Sequence, residues 1–204
     1  VFDVFEDGLF SEVVVELVVH SGVFAMLDVR LAGVFAEEAR AARGSEPVFA
    51  AVQNERWKRK IAGALKRRFG FSTFRPGQEA IVRDALAGRD LLAIMPTGGG
   101  KSLCFQLPAV LRSGITLVIS PLIALMQDQV AALQARRVPA TFLASTLDAG
   151  EMRRRMALMA RGAFRLAYVA PERLTFPGFR GLLADLDCPL LAVDEAHCIS
   201  EWGH

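Results

Sequence analysis

A chain of 204 residues is long enough for one sizeable core and a small appendage, and 52% apolar with 23% charged residues excludes a disordered polymer. The net charge of +2 hides an asymmetry: residues 1–55 carry three basic and ten acidic side chains, whereas residues 56–204 carry 21 basic and 12 acidic. The longer, basic part suits a polyanionic partner.

Residues 1–45 contain valine-rich and phenylalanine-rich runs, such as Val13-Val14-Val15 and Leu17-Val18-Val19, without a clean period of two or 3.6. Ala36 to Arg43 reads as one short helix, and Gly44-Ser45-Glu46-Pro47 is a break. Either a small separate module or an extension without a stable fold fits this stretch, and no function is assigned to it. The longest uncharged apolar-rich segment here, Leu17 to Leu27, is too short to span a bilayer and follows no basic region, so neither a membrane span nor a signal peptide is expected.

From Asn54 the pattern becomes regular. Asn54 is placed to cap a helix in which Trp57, Ile61, Ala64, Leu65 and Phe69 keep helical spacing. Its other face carries Lys58, Arg59, Lys60, Lys66, Arg67 and Arg68, compatible equally with plain solvation and with a nucleic-acid contact. Gln78 to Ala87 forms a second helix, stopped by Gly88.

Strands and helices then alternate: strand 90–95, helix 102–111, strand 115–120, helix 122–135, strand 140–143, helix 149–160, and strands 165–169 and 190–194. On the helix at 122–135, Leu122, Leu125, Met126, Gln129, Val130 and Leu133 trace one mostly apolar face. Met152, Met156 and Met159 read as core, and Arg153-Arg154-Arg155 as a solvated face. Apolar strands separated by amphipathic helices predict an α/β fold with a parallel sheet covered on both faces.

Two segments carry chemistry. Met95-Pro96-Thr97-Gly98-Gly99-Gly100-Lys101-Ser102 lies between a short apolar strand and a helix, the context of a loop that cradles a polyphosphate with backbone N–H groups. In such a loop Lys101 reaches the outer phosphates and the Ser102 hydroxyl ligates Mg²⁺. Met95 stands where the strict G-x-x-x-x-G-K-[ST] pattern has its first glycine. The apolar run Leu190-Leu191-Ala192-Val193 delivers Asp194 and Glu195 at its carboxyl end, where open α/β sheets place ligand chemistry. Cys104, Cys188 and Cys198 form no C-x-x-C pair, so neither a zinc site nor a disulfide framework is indicated, and a reduced cytoplasmic compartment is the default.

Five segments in order resemble the first motor domain of RecQ-family DNA helicases, in the DEAH-type branch of superfamily 2. They are Phe69 to Gln78, Met95 to Ser102, Ser120 to Gln129, Tyr168 to Leu174 and Asp194 to His204, and the span they mark out, from about Phe69 to His204, is roughly two-thirds of the chain. Met95 in the loop is normal for that family. The resemblance implies a RecA-like P-loop domain over residues 54–204, preceded by an extension over 1–53. It implies an adenine site on Phe71, where the family often has Tyr, with Arg75 and Gln78; a ring and a guanidinium can sandwich a purine and an amide can pair with its edge.

It further implies phosphate binding by Thr97, Gly98, Gly99, Gly100, Lys101 and Ser102, Mg²⁺ on Ser102 and Asp194, and Glu195 as the base that activates water. His197 resembles the residue that links the nucleotide to bound DNA, and Trp202 the start of an aromatic loop that stacks on single strands. Ser120-Pro121-Leu122 and Pro171-Glu172-Arg173 correspond to loops that grip the DNA backbone. The expected function is an ATP-dependent, 3′-to-5′ unwinding motor acting on single-stranded and duplex DNA, cytoplasmic and nucleoid-associated in a bacterium. The alternatives are a translocase without unwinding and a non-catalytic nucleotide-binding module. The chain opens on Val1 and stops at His204 directly after a motif, which predicts a piece of a longer protein, and the resemblance implies a second RecA-like lobe beyond it.

Overall fold

The structure, a computed structural model, describes residues 17–20, 55–96 and 98–195, the first of these as backbone. Strand β1 covers Leu17–His20, and helix α1 covers Glu55–Ala64 and widens into a π-helical turn over Leu65–Phe69. Helix α2 is Gln78–Leu86, β2 Leu91–Ala93, α3 Lys101–Leu111, β3 Thr116–Ile119, α4 Ile123–Ala135 and β4 Ala140–Leu143. Helix α5 is Ala149–Ala160, β5 Leu166–Val169, then a 3₁₀ turn over Pro171–Thr175, α6 over Pro177–Asp185 and β6 over Leu190–Asp194.

The local chemistry explains the ends. Gly70 takes φ 78° and closes the turn by donating its N–H to the Lys66 carbonyl at 3.1 Å. Asp148 caps α5, its carboxylate accepting from the Gly150 and Glu151 amides at 2.8 and 2.9 Å. Pro177 fits the first turn of α6, where its missing N–H costs nothing.

The sheet runs β2-β1-β6-β3-β5-β4. Strands β6, β3, β5 and β4 pair in parallel, as the alternation of strands and helices predicts. β1 pairs antiparallel with both β2 and β6, setting Val18 opposite Leu92 on one side and Val193 on the other. Residues 17–20 therefore join the same sheet as the regular part of the chain.

The pleat sorts the core into two layers. Val118, Leu166, Tyr168, Leu190 and Ala192 face one way, onto a layer shared with residues of α1, α2, α3 and α4. Their neighbours Leu117, Ile119, Ala167, Val169, Leu191 and Val193 face the other, onto Met152 and Met159 of α5 and Phe179 and Leu183 of α6. A period of two along strands that are buried on both faces is what helices on both sides of the sheet require.

The outward carbonyls of β4, at one edge of the sheet, do not lie bare. The Gln134 side chain donates to the Ala140 carbonyl at 3.0 Å, and the Arg155 guanidinium donates to the Phe142 carbonyl at 3.0 Å while lying 4.5 Å from the Phe142 ring centroid.

Candidate nucleotide site

The loop from β2 into α3 needs glycine where it turns. Gly98 and Gly100 have φ 75° and 82°, and the Gly99 N–H closes onto the Pro96 carbonyl at 2.9 Å. A Cβ on Gly100 would stand 2.5 Å from Gln78 Nε2, so a side chain there collides as well as strains the backbone. The loop then enters α3 at Lys101, whose first backbone N–H groups have no partner within the helix and form an anion-binding end.

Arg75 and Gln78 hold the loop from behind. Arg75 donates through its guanidinium to the Gly98 carbonyl. The Gln78 amide donates to the Gly99 and Gly100 carbonyls at 3.2 and 3.1 Å, and its oxygen accepts from the Arg75 backbone N–H at 2.9 Å. Gln78 is buried with its amide engaged on both sides, whereas Phe71 and Arg75 are exposed. Two of the three expected adenine contacts are thus in touch with the phosphate loop itself.

Strand β6 brings the acidic pair to the same place. Asp194 is 3% exposed at the end of the strand, and Glu195 follows with φ 55°, a left-handed conformation that costs a non-glycine residue on the order of 1–3 kcal/mol. Glu195 Oε1 lies 3.1 Å from Lys101 Nζ, with side-chain exposures of 20% and 12%. The loop cation and the strand-end carboxylate therefore meet in a partly water-shielded ion pair.

Ser102, the second residue of α3, accepts a hydrogen bond at Oγ from Gln129 Nε2 at 3.1 Å. Sequence reasoning placed Gln129 on an apolar face without a role; its polarity in that stripe was the available signal. Arg173 sits on the 3₁₀ turn with its guanidinium 4.9 Å from the Phe176 ring, and its Nε is buried without a hydrogen-bond partner among the described residues. The Ser120 hydroxyl, at the end of β3, is likewise buried and unpartnered among them. Thr97, His197 and Trp202, and the Asn54 cap, lie outside the described residues.

The two described thiols take no part. Cys104 is buried and its pKa is pushed up to about 12; burial raises Cys188 to about 11. No group of three His, Cys, Asp or Glu side chains able to hold a metal by themselves occurs among the described residues. Nor is any described helix long and apolar enough to cross a membrane.

A glycine loop on a helix N-terminus thus meets an acidic strand end through its lysine. The model of the DEAD/DEAH box helicase family matches residues 75–204, from Arg75 through both chemical segments. The chain belongs to the DEAD/DEAH box helicase family. Within it the likeness is to RecQ-type enzymes. The chain is 49% identical over 137 residues to the ATP-dependent DNA helicase RecQ of Bacillus subtilis, covering 67% of this chain and 23% of that protein. Its identity to the protein of the same name from Haemophilus influenzae is 46% over 140 residues, covering 69% and 23%. With the ATP-dependent helicase SGS1 of Saccharomyces cerevisiae it is 41% over 157 residues, covering 72% of this chain and 11% of the yeast protein. The chain thus spans less than a quarter of the length of these relatives.

Proposed function

We propose that this chain is the nucleotide-binding motor domain of an ATP-dependent DNA helicase, coupling ATP hydrolysis to 3′-to-5′ strand separation in the full-length protein. The observation that carries the reading is the Lys101–Glu195 contact at 3.1 Å, because it brings the phosphate loop and the strand-end carboxylates into one site. The likeness to proteins named ATP-dependent DNA helicase supports ATP as fuel and DNA as partner.

The residues fit Mg²⁺–ATP. Gly100 lets the loop close against Gln78 where a Cβ would intrude. Ser102 and the buried Asp194 offer hard oxygen donors, and magnesium characteristically takes one or two protein oxygens and completes its shell with phosphate and water. Bound between them, Mg²⁺ would neutralise charge on the phosphate oxygens.

The chain's own residues do the rest. Lys101 leaves Glu195 for the outer phosphates as nucleotide enters, which frees the Glu195 carboxylate to orient a water and take its proton. Asp194, with Ser102, would hold the metal. Phe71 and Arg75 stack on the adenine and Gln78 reads its edge while steadying the loop. Thr97 joins the loop glycines on the phosphates. Arg173 contacts a DNA phosphate, and His197 and Trp202 pass the state of the DNA to the nucleotide. The charge that develops on the far side of the γ-phosphate requires an arginine from a second RecA-like lobe. Residues 1–53 extend this domain, with Leu17–His20 supplying a strand of its sheet, and the protein works in the cytoplasm, on the nucleoid if the source is bacterial.

Steady-state turnover by residues 1–204, with and without single-stranded DNA, tests this reading. Mg²⁺–ATP binds, turnover is slow, and DNA stimulates it little, since an arginine finger is worth roughly 10³–10⁵ in rate. Adding the second lobe restores both rate and DNA dependence. Brisk DNA-stimulated turnover by residues 1–204 alone contradicts the two-lobe mechanism, and failure to bind Mg²⁺–ATP contradicts the nucleotide site.

A further inference from the structure

Two glutamines, Gln106 buried and Gln129 half-buried, sit where the packing pattern calls for apolar residues. Gln106 lies between Phe105 and Leu107, both fully buried, and is itself 6% exposed. Gln129 occupies the stripe of α4 that also holds Met126, Val130 and Leu133. An amide in such a place is tolerated only when its donors and acceptor are matched.

They are matched in a line. Gln106 Nε2 donates to Gln129 Oε1 at 2.7 Å and to Tyr168 Oη at 2.9 Å, using both of its amide hydrogens. Gln129 Nε2 in turn donates to Ser102 Oγ at 3.1 Å. Tyr168 is fully buried in β5, and burial pushes its phenol pKa upward, so the hydroxyl keeps its proton.

We infer that Gln129 is a positioning residue for the Ser102 hydroxyl, and that Gln106 and Tyr168 hold Gln129 in place, making a side-chain relay from the metal side of the nucleotide site to strand β5. The inference rests on the reading that Ser102 ligates the magnesium of Mg²⁺–ATP. With one lone pair of Oγ occupied by Gln129, the second is left for a cation and the hydroxyl proton for an acceptor on the opposite side. The rotor of a free serine has no such preference.

The relay also has direction. Turning Gln129 alone sets its NH₂ against the NH₂ of Gln106, a donor facing a donor. Turning both amides restores a complete set, in which Ser102 and Tyr168 each donate. The orientations of these two hydroxyls are therefore linked through the pair of amides. β5 runs on into the 3₁₀ turn that carries Arg173, so the relay ends on the strand that leads to this cation.

The test is the magnesium dependence of nucleotide binding by the 204-residue chain, using a fluorescent ATP analogue titrated with MgCl₂ and separately in EDTA. Gln129→Met keeps the volume and removes the amide. It should raise the Mg²⁺ concentration for half-maximal binding about three- to tenfold, the effect of one lost hydrogen bond, with affinity in EDTA within about twofold of wild type. Gln106→Met should shift the same midpoint less, and the double variant should shift it by less than the product of the two single effects, because both act through one chain of bonds. Gln129→Glu, which can still accept from both Gln106 and the Ser102 hydroxyl, should return the midpoint to the wild-type value or below it. Thermal melting without nucleotide identifies any variant that has lost its fold; Gln106→Met and Gln129→Glu then decide the matter. Variants that melt like wild type and keep its Mg²⁺ midpoint overturn the relay, as does an equal loss of affinity with and without Mg²⁺. A wild-type chain without Mg²⁺-dependent binding overturns the nucleotide reading itself.

Discussion

Lys101 and Glu195 stand 94 positions apart in sequence and meet at 3.1 Å, so the cation proposed for the phosphates is neutralised by the carboxylate proposed as base. Each residue holds the other in reserve. The pair gives the site a resting state in which neither charge is left alone in partly shielded surroundings, where an unmatched charge is costly.

The first prediction separates binding from chemistry. Lys101→Ala lowers both ATP affinity and turnover. Glu195→Gln removes the base but also releases Lys101, so ATP binds at least as tightly as to wild type while turnover in the two-lobe protein falls by roughly 10² or more. Equilibrium binding and steady-state rates on the same preparations check this, and near-normal turnover by Glu195→Gln would sink the assignment.

Gln78 has two jobs to distinguish. Its amide supports the Gly99 and Gly100 carbonyls at 3.2 and 3.1 Å, which serves any nucleotide, whereas reading the adenine edge serves ATP alone. Gln78→Ala should therefore weaken GTP binding somewhat and ATP binding more, the excess being about 1–3 kcal/mol. Parallel titrations with the two nucleotides measure both parts. An equal loss for ATP and GTP assigns Gln78 to loop support only.

Gly100→Ala should be more damaging than its single methyl group implies. The residue sits at φ 82°, and the new Cβ would meet Gln78 Nε2 at 2.5 Å. The loop must shift or Gln78 must let go. A fall in melting temperature corresponding to about 1–3 kcal/mol, together with loss of Mg²⁺–ATP binding, is the expected result. Unchanged binding would show that the loop closes without this contact.

The thiols predict an alkaline limit. Cys104, ordinarily near 9.0, titrates at about 12 in the fold, and Cys188 at about 11. Both are raised, so the stability they confer is complete below about pH 9 and declines as pH climbs toward 11 and 12. Denaturant midpoints should fall across that range, and less steeply in Cys104→Ala. At pH 8 the native protein should alkylate at Cys104 and Cys188 far more slowly than in urea, as peptide mass spectrometry would show.

Much of this was legible in the sequence because it is local. The apolar runs at 116–119, 166–169 and 190–194 are buried on both faces, and such strands announce themselves by composition. The glycine loop and the acidic pair are likewise contiguous. What escaped was decided by distant partners. β1 shows no alternation to read, and its place depends on hydrogen bonds to β2 and β6. Helix α6 was missed because Gly178 and Gly181 weaken its propensity, while burial of Phe179 and Leu183 stabilises it. The pairing of Gln106 with Gln129 needed α3 and α4 side by side before either amide had a meaning.

The two margins of the sheet are unequal in a way that bears on self-association. At β4 the outward carbonyls of Ala140 and Phe142 are stoppered by Gln134 and Arg155, so that rim offers no vacant acceptors to an incoming strand. The other margin of the described sheet, β2, has only three residues. Open-ended stacking of molecules into a ribbon needs two receptive rims on every copy. With these two acceptors taken, the β4 rim is a poor template for a further strand, which lessens the risk of open-ended strand addition at that side.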